Sequence, residues 1–517
     1  MAEKSLTAKS AKNSVVALLF YAINLILQFI SRKIFIEYLG EDILGLNTTV
    51  SSILQFLNIA ELGIGSAIGY TLYKPLHDND RTAINEIVAL QGWLYKRIAG
   101  FIIVGSIVLM AFFPVIFAKT DLPLWYSFAT YSVLLFSSLL GYFINFRQIV
   151  LSADQKEYTI QYSYKSVLLA KLIFQIVFIR FFDNGYLWWL ILEAAFAIIA
   201  SISLNVVIGH TYPYLGTPEL SGKQLIARHP AVLTKTKQLF FHKIGGLVLT
   251  KTSPILIYAY ATLETVAIYG NYMLIVSGVT SLITAIFTSM NAGVGNLVAG
   301  GNKVRIMRVF NELFSIRFLI TGIICFCVYN FTQPFMRLWM GPELLLDNDI
   351  LIIFVLITFV NLNRLTGDAF INAYGLFSDI WSPIVEASIN IGLSVLLGYF
   401  WGLKGIMIGV LASLLVVIFG WKQFFLFRKG FKRPFRECVF LYLQHFAILG
   451  ISYPVIKFIY DSIMPVEITG GTSWILHASG YALIAVVVLG LMLCIFTSGM
   501  KSFVRRMNSI LFRYIRK

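Results

Sequence analysis

Apolar runs of about 18 to 25 residues follow one another from residue 15 to residue 498, separated by short polar segments. Each run is long enough to cross a hydrocarbon layer of ~30 Å as an α-helix. None shows the strict two-residue alternation of a half-buried strand. Fourteen spans are predicted, at 15–35, 43–72, 95–117, 123–146, 159–181, 186–208, 241–262, 266–292, 314–334, 349–371, 378–400, 403–425, 438–460 and 474–498. The fold class is therefore an all-α polytopic membrane protein with 14 transmembrane helices.

An internal echo organises the spans into two related halves. Glu61–Ile68 reads ELGIGSAI and, 230 positions later, Asn291–Val298 reads NAGVGNLV, so Gly63 and Gly65 fall on Gly293 and Gly295. Each motif follows a long span rich in small residues, which let helices pack closely, bend or slide. Each also precedes a basic amphipathic segment: Ile84, Ile87, Val88, Gln91 and Tyr95 in one half, Ile306, Val309, Phe310, Leu313 and Phe314 in the other. These segments are expected to lie against the bilayer or to lead obliquely into the next span. The organisation predicted is a six-helix half over 1–208, a basic cytoplasmic linker over 209–240, a second six-helix half over 241–425, and an appended pair of helices with a basic tail over 426–517. Within the linker, 224–240 has the pattern of a surface helix.

Composition agrees with this reading. The chain is 58% hydrophobic and 13% charged, with a mean hydropathy of +0.79, about half the charge of a soluble domain. A net charge of +16 would suggest nucleic acid in a soluble protein. Here, with residues near a span end counted in the adjoining loop, 31 of the 41 Lys and Arg fall on the side that holds the N-terminus, 7 on the other, and three (Lys171, Lys251 and Arg364) lie deeper within spans. That asymmetry explains the charge, places both termini in the cytoplasm and removes nucleic acid as a partner. The basic residues before span one precede no small-residue cleavage pattern, so that span reads as uncleaved. Cys325, Cys327, Cys438 and Cys494 have no metal-like spacing and read as buried thiols.

Ionisable residues inside spans need a reason, since each costs at least ~2.5 kcal/mol on insertion scales. Lys251 stands in span seven near Pro254. Arg364 and Asp368 are one turn apart in span ten and can pair. Arg32 and Lys33 are near the outer end of span one, where snorkelling would satisfy them. Glu61 opens the first glycine motif and is suited either to binding a coupling cation, a proton or sodium ion, or to holding its helix; its repeat mate is Asn291. Glu193 and Glu386 are isolated acids in spans six and eleven. No His-Cys-acid constellation, phosphate-binding glycine loop or paired-carboxylate site appears, so the chain is not read as an enzyme and calls for no cofactor.

The run FIEYLGEDILGLNTTVSSILQFLNIAELGIGSAIGYTLYKPLHDND, Phe35 to Asp80, closely resembles the start of bacterial oligosaccharide flippases of the polysaccharide-biosynthesis transport family. That family lies in the superfamily that also holds the multidrug/toxic-compound extruders and the peptidoglycan-precursor flippase. The resemblance implies movement of a polyprenyl-pyrophosphate-linked oligosaccharide repeat unit from the cytoplasmic to the outer leaflet of a bacterial inner membrane, for O-antigen, capsule or exopolysaccharide synthesis. It implies alternating access, with a V-shaped cleft between the two halves, membrane lipids around it, and a polysaccharide polymerase or glycosyltransferases as possible partners. Lys251, Arg32, Arg364 and Lys33 are the bases available to receive a pyrophosphate in such a cleft. A cation-coupled drug extruder is the alternative on the same architecture and would favour the acids Glu61, Asp368, Glu193 and Glu386. A monomer is expected.

Overall fold

The computed structural model of the chain describes residues 2–515 apart from 62, 217–219, 289, 377, 380 and 465–466. Side chains are described at all of these except 2–11, 60, 238–239, 241–250, 286, 288, 292 and 510–515. The described residues are helical with no strand, and ten of the helices are long and apolar enough to cross a membrane. The chain folds as two compact units, Met1–Ala267 and Ile268–Lys517.

The first unit holds α1 (Ala2–Leu39), α2 (Glu41–Leu57), α3 (Ile64–Asp78), α4 (Arg81–Ala111), α5 (Leu124–Phe143), α6 (Ser166–Phe181), α7 (Gly185–Thr211), α8 (Gly222–Arg228) and α9 (Pro230–Tyr260). Large apolar side chains such as Val15, Leu19, Ile26 and Ile30 stand exposed along α1, as lipid contact requires. The predicted span 43–72 is not one helix. A 3-10 turn at Asn58–Glu61 ends the α2 segment, and Gly63, at φ 93°, starts α3 from a left-handed conformation that a side chain would strain. The predicted span 159–181 likewise contains a π-helical turn, Gln161–Lys165, before α6.

The apolar stripe Ile84, Ile87, Val88 and Tyr95 forms the first turns of α4, continuous with the next span. It does not lie on the bilayer. It is buried against Ile64, Ile68 and Leu72 of α3 and Leu204 and Ile208 of α7, the core of this unit. A stripe at 3,4 spacing looks the same whether lipid or protein covers it, which is why sequence left the covering open.

The linker is more helical than the pattern of 224–240 implied. Ser221 and Gln224 form a capping box at the start of α8, and Pro230 then opens α9 at the position where a missing N–H costs nothing. Buried Glu86 on α4 fastens this segment by pairing with Arg228 and, at 2.9 Å, with His229 Nε2. Asn85 Oδ1 accepts from the Gly216 N–H at 2.9 Å. Glu86→Ala removes the acceptor for both bases, so trypsin cleavage after Arg228 is expected to rise several-fold in a limited digest of folded protein. Unchanged cleavage would mean that the clasp holds nothing in place.

The division between units falls inside α10 (Leu263–Thr288). The second unit continues with α11 (Asn291–Ala299), α12 (Lys303–Met340), α13 (Asn348–Ala373), α14 (Trp381–Leu414), α15 (Phe435–Ile463), α16 (Gly471–Phe496) and α17 (Ser498–Ile515). Its core is aromatic. Phe310, Phe314 and Phe318, spaced by four on α12, contact one another and meet Phe370, Phe431 and Tyr442 edge to face. Such ring pairs contribute about 0.5–1.5 kcal/mol each beyond their burial. The second amphipathic segment is thus also a protein-facing stripe.

The predicted spans 378–400 and 403–425 lie in one uninterrupted run of helical turns. The run reverses at Gly402, whose φ of 53° and ψ of −131° are closed to side-chain-bearing residues. Ser394 Oγ donates to the Ile406 carbonyl at 3.0 Å, a contact impossible along a straight helix twelve residues long. A Cβ on Gly405 would overlap the Leu397 carbonyl, and one on Gly409 the Ser394 backbone. The two arms therefore pack backbone to backbone. The four cysteines are free, Cys325 and Cys438 buried and the other two half-buried, as expected of structural thiols.

Candidate functional site

In the first unit the break between α2 and α3 presents Glu61. Tyr95 Oη donates to one of its carboxylate oxygens at 2.7 Å and Tyr142 Oη to the other at 2.8 Å, and the two rings meet edge to face. Both tyrosines are buried. Glu61 thus joins three helical segments, the structural half of the two roles read for it. Gly65 lies beneath the same clasp, with Tyr95 Oη 3.4 Å from where a Cβ would be.

Glu193, which looked isolated in sequence, is not. Lys171 Nζ meets one oxygen at 2.7 Å and Gln175 Nε2 the other at 3.0 Å, all half-buried or buried between α6 and α7. Pairing across two helices has no sequence-local signature, which is why the partner was missed. Arg32 is half-buried and donates to the Ala267 carbonyl at 3.4 Å. Lys33 is exposed. Lys251 on α9 is half-buried beside buried Thr252 and Ser253, and no described residue offers it a hydrogen bond or an ion pair. Glu41 and Asp121 of this unit lie within electrostatic range of Asp42. Burial, then the two neighbouring carboxylates, hold the Asp42 carboxyl above its usual range.

The second unit gathers a larger polar cluster on α12, α13 and α14. Arg364 Nε and Asp368 Oδ2 pair at 2.9 Å, the i,i+4 partnership expected from their spacing. Glu386 is buried within electrostatic range of Arg364 and of Lys422. One of its oxygens has no hydrogen-bond partner among the described residues, nor has either side-chain polar atom of buried Asn363 and Asn390. Lys422 in turn pairs with buried Asp379 at 2.7 Å, which also accepts from Ser382 Oγ at 2.9 Å. Arg317 is buried on α12, its guanidinium 3.6 Å from the centroid of Phe287 and within range of Asp368. Three bases and three acids thus share one polar interior.

Sequence reading missed Arg317, Asn363, Asn390 and the Lys422–Asp379 pair. Two had a readable signal. Arg317 continues the buried stripe Phe310, Leu313, Phe314 at helical spacing, and a base on an apolar stripe needs a partner. Asn390 is one turn from Glu386 and on its face. The Lys422–Asp379 pair, 43 residues apart, had none.

The repeat mates Asn291, Gly293 and Gly295 are on α11. Asn291 and Gly293 are exposed, and a Cβ on either glycine would meet nothing within 4 Å. Gly293 lines a cavity of about 1050 Å³ within the second unit. Gly63 adopts positive φ while Gly293 is helical, so the repeated glycines do different local work. In the second half a turn at Met290 precedes α11.

Long apolar helices with buried charges define a multi-pass membrane protein, and its fold is similar to those of solved membrane transporters. A solved lipid II flippase MurJ in an inward closed conformation matches with a TM-score of 0.64 and 13% identity, over 94% of this chain and 98% of that one. An inward-facing multidrug resistance MATE family transporter of the MOP superfamily matches at 0.61 and 12% identity, over 79% and 97%. An outward-facing MATE transporter matches at 0.51 and 13%, over 80% and 93%. No family model and no curated protein matches the sequence.

Proposed function

We propose that this chain is a flippase that moves a polyprenyl-pyrophosphate-linked oligosaccharide from the cytoplasmic to the outer leaflet of a bacterial inner membrane, by alternating access and without covalent chemistry. The observation that carries the reading is the extent of the fold likeness: the lipid II flippase fold spans 94% of the chain, the MATE folds 79 and 80%. A lipid-linked pyrophosphate sugar is the cargo that the motif from Phe35 to Asp80 also implies. We read fourteen crossings with both termini cytoplasmic, two six-helix halves around a V-shaped cleft, and helices α15 and α16 as the added pair. O-antigen, capsule or exopolysaccharide synthesis is the setting proposed.

Charge decides which base matters most. Lys251 has no acid partner among the described residues, so a phosphate gains its full charge-assisted hydrogen bond. Arg364 must first be shared with Asp368 and Glu386. In proteoliposomes loaded with a polyprenyl-pyrophosphate oligosaccharide, Lys251→Ala is expected to slow leaflet translocation at least tenfold while the protein stays folded. Arg364→Ala is expected to lose stability as well as rate, because it strands two carboxylates. The competing reading, a cation-coupled extruder, draws on Glu386 and Asp368. Efflux of small cationic compounds, with no movement of the lipid-linked sugar, would replace the flippase assignment with it.

A further inference from the structure

The cavity of about 1050 Å³ in the second unit has a composition that none of the transport reasoning uses. One wall is apolar: Met290, which precedes α11, and Val294 and Leu297 on α11, beside Gly293, which leaves that wall flat. The rest is basic. Arg305 and Arg308 come from the first turns of α12, Lys501, Arg505 and Arg506 from α17, and Glu312 is the one acid among the lining residues. Five bases against one acid leave a local charge of about +4 around a concave space.

The site is built rather than a chance meeting of surface lysines. Glu312 is buried, accepts from Ser502 Oγ at 2.5 Å and pairs with Arg506 at 3.0 Å, so it locks α17 in register on α12. A Cβ on Gly499 would overlap the Asn311 carbonyl, so the start of α17 lies directly on the α12 backbone. Thr497 Oγ1 accepts from the Met500 N–H at 3.3 Å, and Met500 is buried. With α17 held this way, Lys501 and Arg505 share one face one turn apart. Neither these two nor Arg305 and Arg308 have an ion-pair partner among the described residues. Glu312 consumes only Arg506, leaving four bases for a ligand.

We infer that this cavity is a binding site for the phosphate of a lipid, with the bases holding the phosphate and the α11 wall holding the adjoining chain. A free phosphate would leave the apolar wall unused. An acidic peptide would find a single pocket rather than a groove. The place in the chain fits as well: α16 ends at Phe496, two residues before α17, and α12 runs from Lys303 straight into its apolar span, so both basic elements sit at the end of membrane-spanning helices. Two sources share this chemistry, an anionic phospholipid of the bilayer and a polyprenyl pyrophosphate.

The test is native mass spectrometry of the full chain in detergent, titrated separately with phosphatidylglycerol, polyprenyl pyrophosphate, phosphatidylcholine and inorganic phosphate. Saturable one-to-one retention of phosphatidylglycerol or of polyprenyl pyrophosphate, with neither phosphatidylcholine nor inorganic phosphate retained, is expected. Whichever of the two binds identifies the source. Lys501→Gln/Arg505→Gln is expected to weaken that binding about thirty-fold. The charge-matched pair Lys429→Gln/Arg436→Gln, exposed on either side of the short turn before α15, should leave it unchanged. Gly499→Leu keeps every charge but lifts α17, and should also lose the retained lipid while the remaining helices keep their circular dichroism. Equal weakening by the two charge-matched pairs would reduce the effect to diffuse surface charge and overturn the site. So would retention of neither phosphate-bearing lipid, or binding by Gly499→Leu as tight as by the unaltered chain.

Discussion

Glu61→Ala is expected to destabilise the first unit by about 2–4 kcal/mol, since it leaves two buried tyrosine hydroxyls without an acceptor at about 1–3 kcal/mol each. Thermal melting in detergent should show the loss directly. Tyr95→Phe and Tyr142→Phe alone should cost less, about 1 kcal/mol each. The triple variant Glu61→Ala/Tyr95→Phe/Tyr142→Phe should recover part of the loss, because no hydroxyl is then stranded. The same variants separate the two roles read for Glu61. If the carboxylate only clasps helices, the triple variant, once folded, transports normally. If it also binds a coupling cation, transport fails in a protein that melts almost as the unaltered chain does. A Glu61→Ala protein as stable as the unaltered chain would show that the tyrosine clasp contributes nothing.

Gly405→Val is expected to have the largest structural effect of any single change in the second unit. Its Cβ would occupy the place of the Leu397 carbonyl, so the two arms around Gly402 must part along their length. Overpacking a core costs about 1–3 kcal/mol when side chains can give way. Here backbone must move, and the upper end or beyond is expected. Size-exclusion chromatography of a fluorescent fusion should show aggregated material in place of a single peak. Gly392→Ala, on the same hairpin where a Cβ meets nothing within 4 Å, is the matched control and should run normally. A single sharp peak from Gly405→Val would mean that the arms are not in backbone contact.

Much of this architecture was written in the chain, and the parts that were not share a cause. Periodicity and apolar length located the helices because those signals are local. They could not say what covers an apolar stripe, so Ile84–Tyr95 and Ile306–Phe314 were open to lipid as well as to protein. The break at Asn58–Gly63 was foreshadowed by its glycines. In the second half the turn at Met290 comes directly before the echo motif, and Gly293 is helical where Gly63 is not. Among the charged residues, the Arg364–Asp368 pair was legible at i,i+4. The Lys171–Glu193, Glu86–His229 and Lys422–Asp379 pairs were not, since each joins segments distant in the chain whose contact depends on the whole unit. The cation Lys251 stood out in sequence for its apolar surroundings, and no described acid pairs with it.

The reversal at Gly402 also bears on how the protein is made. Two apolar arms joined through one residue, and packed backbone to backbone at Gly405 and Gly409, leave almost no hydrophilic loop between them. They are expected to enter the membrane together, as one hairpin within the 51 residues from Trp381 to Phe431. An epitope or glycosylation tag inserted at this turn would therefore disturb insertion itself and report on biogenesis rather than on the orientation of the finished chain.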